Sequence, residues 1–164
     1  MEALAAGTPA PAFTLPDTNG QPRSLAEALK KGPVLLAFYK VSCPVCQFAF
    51  PFLERVQQRI KGRDDVQLWG VAQDGADDAE QFARQYGCTF SMLTDEDPYP
   101  VSTEYGLTNV PTLFLVSPDG KVQLSSVGFV KSDIEAAAAK LAGNAGAPVP
   151  IFKPTDNVPE FKSG

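Results

Sequence analysis

The chain has 164 residues, 44% of them apolar, and a formal net charge of −5, which suits one domain with a hydrophobic core. The acidic balance argues against nucleic acid or an anionic membrane as the main partner, and no apolar run is long enough for stable membrane insertion. Histidine is absent, which removes Ser–His–Asp hydrolysis, Cys–His proteolysis and every histidine-bearing metal site.

Met1 to Gly7 has no basic n-region and no long apolar h-region, so no signal peptide is read there. The expected location is the cytoplasm as written, or the bacterial envelope if a leader has been removed. Pro9 to Pro16 reads as extended, and Asp17-Thr18-Asn19-Gly20 as a turn. Ser24-Leu25-Ala26-Glu27 is a capping box that opens a short helix closed by Gly32. Val34 to Tyr39 is an apolar run with the length of a buried strand.

Next comes Lys40-Val41-Ser42-Cys43-Pro44-Val45-Cys46, and then apolar residues at helical spacing up to Lys61. Pro44 suits the first helical position, which puts Cys43 at the N-cap and Cys46 one turn in. Pro51 inside this helix removes one backbone hydrogen bond. Val66 to Ala72 reads as a strand, Asp77 to Tyr86 as a helix capped by Gly87, Phe90 to Leu93 as a short strand, and Pro98 to Tyr105 as a weaker helix. Asp95-Glu96-Asp97 reads as a solvated turn.

Thr112 to Val116 is another buried strand, led by Val110-Pro111, and Pro118 to Lys121 turns it back into Val122 to Val127. Ser132-Asp133-Ile134-Glu135 is a second capping box, starting an Ala-rich helix that stops near Gly143. The tail from Ala145, with four prolines, is expected to be an irregular, polyproline-leaning strap. The division is therefore a domain over 1–143 and a tail over 144–164. The order of elements predicts an α/β fold whose sheet turns antiparallel at its end.

The chemistry sits at the two cysteines. A thiolate, not a thiol, attacks a disulfide, and a helix N-terminus stabilises negative charge with unpaired N–H groups and its dipole. Cys43 is placed for that attack, and Lys40 adds a positive charge nearby. Cys46, one turn deeper, resolves the mixed disulfide by attacking the Cys43 sulfur. The same spacing also fits half of a zinc site, but that needs two more ligands and Cys88 is the only other cysteine. A structural disulfide gains little from closing so short a loop. Cys88 itself is expected to be a small buried hydrophobe.

The segment Phe38 to Pro51 resembles the active site of the thioredoxin superfamily: a strand, two cysteines two residues apart, and a proline five residues after the second. Val110-Pro111-Thr112 resembles that family's cis-proline loop. The resemblance implies a thioredoxin-like fold, with a central mixed sheet flanked by helices and an extra βα insertion between the two-cysteine helix and the cis-proline strand. It also implies that Pro111 is cis and that Val110 offers backbone groups to an extended substrate. Apart from the resemblance, Phe38, Tyr39, Phe48, Phe50 and Phe52 read mostly as core, with one or two of them joining Pro44 and Val45 in an apolar docking rim. The insertion, with Ala12 to Asp17 and Ser117 to Lys121, is similar to the redoxin branch of peroxiredoxins and TlpA-like thiol reductases.

Three departures carry meaning. Peroxiredoxins have proline and threonine or serine at the positions of Leu36 and Lys40, and no arginine here matches their active-site arginine, so peroxide is disfavoured as substrate. The buried aspartate that thioredoxin uses for proton transfer is replaced by Ala37, so another group or water takes the Cys46 proton; Asp74 and Glu104 are candidates, each read first as a solvated surface carboxylate. Ser42 stands where an aromatic residue is common. The expected function is thiol–disulfide exchange, by a monomer that uses no cofactor or metal, between a disulfide-containing protein and an electron-donor thiol protein. Thiol peroxidase activity and a non-catalytic redox switch are the alternatives.

Overall fold

Val34–Tyr39 (β3) has no exposed residue, and its alternating side chains feed two separate cores. That is what a strand at the centre of a two-sided sheet requires. In the computed structural model, which describes residues 2–143 and 150–164, β3 is preceded by Thr14–Pro16 (β1), Pro22–Ser24 (β2) and helix Leu25–Leu29 (α1). It is followed by Pro44–Ile60 (α2), Gln67–Ala72 (β4), Ala76–Tyr86 (α3), Ser91–Thr94 (β5) and Pro100–Glu104 (α4). Thr112–Val116 (β6), Val122–Val127 (β7), Phe129–Val130 (β8), Lys131–Ala142 (α5) and Phe161–Lys162 (β9) complete the chain.

The main sheet has the order β5-β4-β3-β6-β7. β3 runs parallel to β4 and antiparallel to β6, in the registers Phe38↔Val71 and Phe38↔Thr112. The sheet is therefore mixed, with β4, α3, β5 and α4 inserted between the two-cysteine helix and the strand after Pro111. Leu35, Ala37 and Tyr39 face the larger core, shared with α2, α3 and α5. Val34, Leu36 and Phe38 face the smaller one, with Leu25, Leu29, Val101 and Tyr105.

Several local readings change in the folded chain. The Ser24 hydroxyl caps α1 as expected, accepting the Glu27 N–H at 3.3 Å. The second capping box does not form: α5 starts at Lys131, with Val130 as N-cap and no side-chain cap. Its free amides are satisfied from the tail, where the Glu160 carbonyl accepts from Lys131 at 2.9 Å and the Glu160 carboxylate from Ser132 at 3.0 Å. Glu135, freed of its local role, accepts the Ile151 N–H at 3.1 Å. A tertiary cap has displaced a local one.

Asp95 is not solvated. It is 1% exposed, and its carboxylate accepts the Val101 and Ser102 amides at 3.2 and 2.7 Å and the Ser102 hydroxyl at 2.7 Å. Those bonds cap α4, which is shorter than the sequence suggests. The expected strap begins at Ala145, and its 145–149 portion, with Pro148, lies outside the described residues. From Pro150 onward it is held, not trailing. Ile151 and Phe152 are buried, Arg55 clamps Asp156 at 2.6 and 2.9 Å, and β9 pairs antiparallel with β8.

Candidate active site

The turn after β3 brings the chain directly into α2. Cys43 is the N-cap, with extended φ and ψ of −83° and 117°, and Pro44 opens the helix. The Cys43 sulfur accepts the Cys46 N–H at 3.2 Å, filling the capping role that a hydroxyl or carboxylate usually takes. Its S–H donates to the Val110 carbonyl at 3.5 Å. One atom thus joins the helix N-terminus to the loop at Val110–Pro111, whose peptide bond is cis. All three cysteines are free thiols.

The two thiols of the turn differ in access. Cys43 is half-buried, whereas Cys46 is 0% exposed, in the same apolar cluster as Ala37 and Phe50. Burial pushes the Cys46 thiol far above its ordinary value of 9.0; contact with the Cys43 sulfur and the Asp74 charge adds to the rise, while a Lys40 backbone hydrogen bond opposes it. Ala37 faces the Cys46 side of the sheet, so the position from which a strand carboxylate would reach that sulfur holds only a methyl group.

The connecting loop is pinned at both ends of one residue. The Val41 N–H donates to Asp74 Oδ2 at 2.9 Å, and Gln47 Nε2 donates to the Val41 carbonyl at 2.9 Å. Asp74 is therefore half-buried at the site, whereas Glu104 is exposed on α4. Lys40 Nζ lies over the Tyr99 ring, 5.6 Å from its centroid. Its side chain lines an open cleft of about 360 Å³ with Gln73, Leu107, Thr108, Asn109, Val110 and Gly164. Pro44 is exposed, and Val45 is half-buried against the larger core.

Beneath the loop, the buried Thr112 hydroxyl donates to the Asn109 carbonyl at 2.7 Å, fixing the turn that presents Val110. Pro111 is buried and its carbonyl accepts the Gly128 N–H at 2.8 Å. Gln47 and Asn109 were not singled out in the sequence, and Thr112 was named there only as part of the Val110-Pro111-Thr112 motif. Only Gln47, four residues from Cys43 on one helix face, carried a local signal. Cys88 lies outside the site and is half-buried, not fully buried; burial and then the Glu54 carboxylate push its thiol up to about 12. Among the described residues, no group of three Cys, Asp or Glu side chains could hold a metal ion, and no helix is long and apolar enough to cross a membrane.

Comparison with known proteins agrees with this geometry. The AhpC/TSA family pattern matches residues 6–125. Thiol-disulfide oxidoreductase ResA of Bacillus subtilis (strain 168) is 33% identical over 122 residues, 74% of this chain and 66% of that protein, so the match spans about two thirds of that relative. ResA of Geobacillus thermodenitrificans is 31% identical over 135 residues, 81% of this chain and 76% of that protein. A solved Chlorobium tepidum structure, assigned as a thiol:disulfide interchange protein DsbE, superposes with a TM-score of 0.73 at 30% identity, covering 86% of this chain and 98% of that one. The chain belongs to the AhpC/TSA family, on the redoxin branch of the thioredoxin superfamily that holds the thiol–disulfide oxidoreductases.

Proposed function

We infer that the chain exchanges a Cys43–Cys46 dithiol for the disulfide of a protein partner. The observation that carries this reading is the asymmetry of the pair. Cys43 is reachable, with an amide N–H aimed at its sulfur, and Cys46 is sealed behind it with its thiol held protonated. The Cys43 thiolate attacks one sulfur of the partner disulfide, and the other sulfur leaves as a thiolate that takes a proton. Cys46 then gives up its proton, for which Asp74 is the half-buried carboxylate whose charge acts on it. It attacks Cys43, and the second partner thiol departs. Two electrons and two protons pass to the partner, and a thiol-protein donor restores the dithiol.

An extended partner segment docks on the Val110 backbone, opposite Cys43, with Pro44 and Val45 as its apolar rim. Lys40 supplies positive charge to the cleft beside Val110. The protein acts as a monomer and needs no bound cofactor. Its relatives are disulfide-interchange proteins, which favours a compartment where disulfides persist, the bacterial envelope, over the cytoplasm expected from Met1 to Gly7. Peroxide is disfavoured because Leu36 and Lys40 stand where peroxiredoxins place proline and a hydroxyl residue.

Insulin-disulfide reduction with a competent donor tests the function, and no turnover would leave only a redox-switched binding module. Cys46→Ser should accumulate mixed disulfides on gels without reductant, and Cys43→Ser should not. A trap that needs Cys46 reverses the roles. Peroxide consumption well above that of free thiol would restore the peroxidase reading.

A further inference from the structure

The C-terminal segment reaches the docking edge itself. After pairing with β8 in the register Phe129↔Lys162, the chain crosses Gly128, whose β-carbon position lies 2.7 Å from the Lys162 carbonyl oxygen. It then lays Gly164 on Val110. A β-carbon at Gly164 would overlap the Val110 carbonyl oxygen, the same atom that accepts the Cys43 S–H. Asn109 Nδ2 fastens the segment by donating to the Gly164 carbonyl at 3.2 Å. Lys162 Nζ sits 4.7 Å from the centroid of the Phe48 ring, on α2 just past Cys46.

The hold on this segment is graded. Upstream, Ile151 and Phe152 are buried and Arg55 grips Asp156, which ties the strap to α2. Residues 161–164 are all exposed, Phe161 at 56%, and are joined to the domain by a two-residue strand. Few buried apolar contacts and a short ladder mark a unit that opens at low free energy while its anchor stays in place.

We propose that Phe161–Gly164 is a resident occupant of the peptide-docking edge at Val110, displaced when an extended partner segment binds. The proposal rests on the reading of Val110 as that edge. Tail and partner compete for one strip of backbone, so the tail excludes segments that bind the strip weakly. A small disulfide that reaches Cys43 without using the edge is indifferent to the tail. A tail seated in roughly 70–90% of molecules leaves about a tenth to a third competent, so its release speeds docking about three- to tenfold.

The test compares the full chain with a form ending at Glu160 and with Gly164→Val. The valine variant keeps β9 and the Lys162 contact but cannot lie on Val110. The second-order rate of oxidation of the reduced protein is measured with insulin and with 5,5′-dithiobis(2-nitrobenzoate). Both altered forms should react about three- to tenfold faster with insulin and at the unchanged rate with the small disulfide. A synthetic Glu160–Gly164 peptide added in trans should slow the truncated form. Equal insulin rates in all three proteins overturn the proposal, as does equal acceleration with both disulfides, which would make the tail a general shield. If no form reacts with either disulfide, the exchange reading itself fails.

Discussion

Reduced protein should lose stability in alkali, and Cys46 should account for a definable share. Folding raises this thiol far above its ordinary 9.0 through burial. Below pH 9 both folded and unfolded states keep the proton, and the full stability is present. As pH rises past 9, the unfolded chain releases the proton and the folded chain does not, so unfolding gains. One unit above the ordinary value, that gain is roughly 1–2 kcal/mol per buried thiol. Cys88, pushed up to about 12, adds a similar amount, so the two thiols together cost about 3 kcal/mol between pH 7 and pH 10. Tyr39 and Tyr105, also raised by burial, add less, each under about 1 kcal/mol at pH 10. Urea unfolding in a phosphine reductant, at pH 7 and pH 10, measures the loss. Cys46→Ser, which cannot titrate, should lose roughly 1–2 kcal/mol less than the parent over that interval, whatever it costs at pH 7. An identical alkaline loss in the two proteins would refute the claim that Cys46 is held protonated by burial.

Cys88 should be nearly inert. With its thiol at about 12 instead of 9.0, its thiolate population near pH 8 is roughly a thousandfold below that of an open cysteine, so iodoacetamide should leave the oxidised, folded protein unlabelled by intact mass. Labelling as fast as in urea would contradict this. Phe50 is 0% exposed and packs on Tyr39, Phe82 and Phe90 with centroids 4.4, 5.3 and 5.9 Å away, so Phe50→Ala should cost about 3–5 kcal/mol in urea unfolding. A β-carbon at Gly70 would overlap the Met92 sulfur and lie 3.2 Å from a Tyr39 ring carbon, and Gly70→Ala should cost roughly 1–3 kcal/mol in the same assay.

The two-cysteine turn was legible because everything it needs is local. Pro44 sets the first helical φ, Cys43 falls at the cap, and Val34–Tyr39 is apolar enough to be a buried strand whatever surrounds it. The pairing with Val110-Pro111 was legible only through resemblance, since 67 residues separate Cys43 from the carbonyl it meets. The second capping box failed for the opposite reason. Ser132 and Glu135 satisfy the local rule, but Glu160 and the Ile151 amide offered the same hydrogen bonds from elsewhere in the chain. Asp95 was misread because an acidic run looks solvated until α4 is folded over it.

By itself the sequence determined most of the main helices and strands, the buried strand Val34–Tyr39, the absence of histidine chemistry and the two-cysteine turn at a helix start, all matters of residue type and short spacing. Tertiary structure decided which thiol is sealed, since burial of Cys46 depends on α2 packing against the sheet over Ala37 and Phe50. It also decided where the tail goes. Glu160, Lys162 and Gly164 carry no local preference for α5, Phe48 or Val110. Only the unpaired amides of a helix end, an open aromatic face and an accessible carbonyl, assembled from distant parts of the chain, give those residues somewhere to bind.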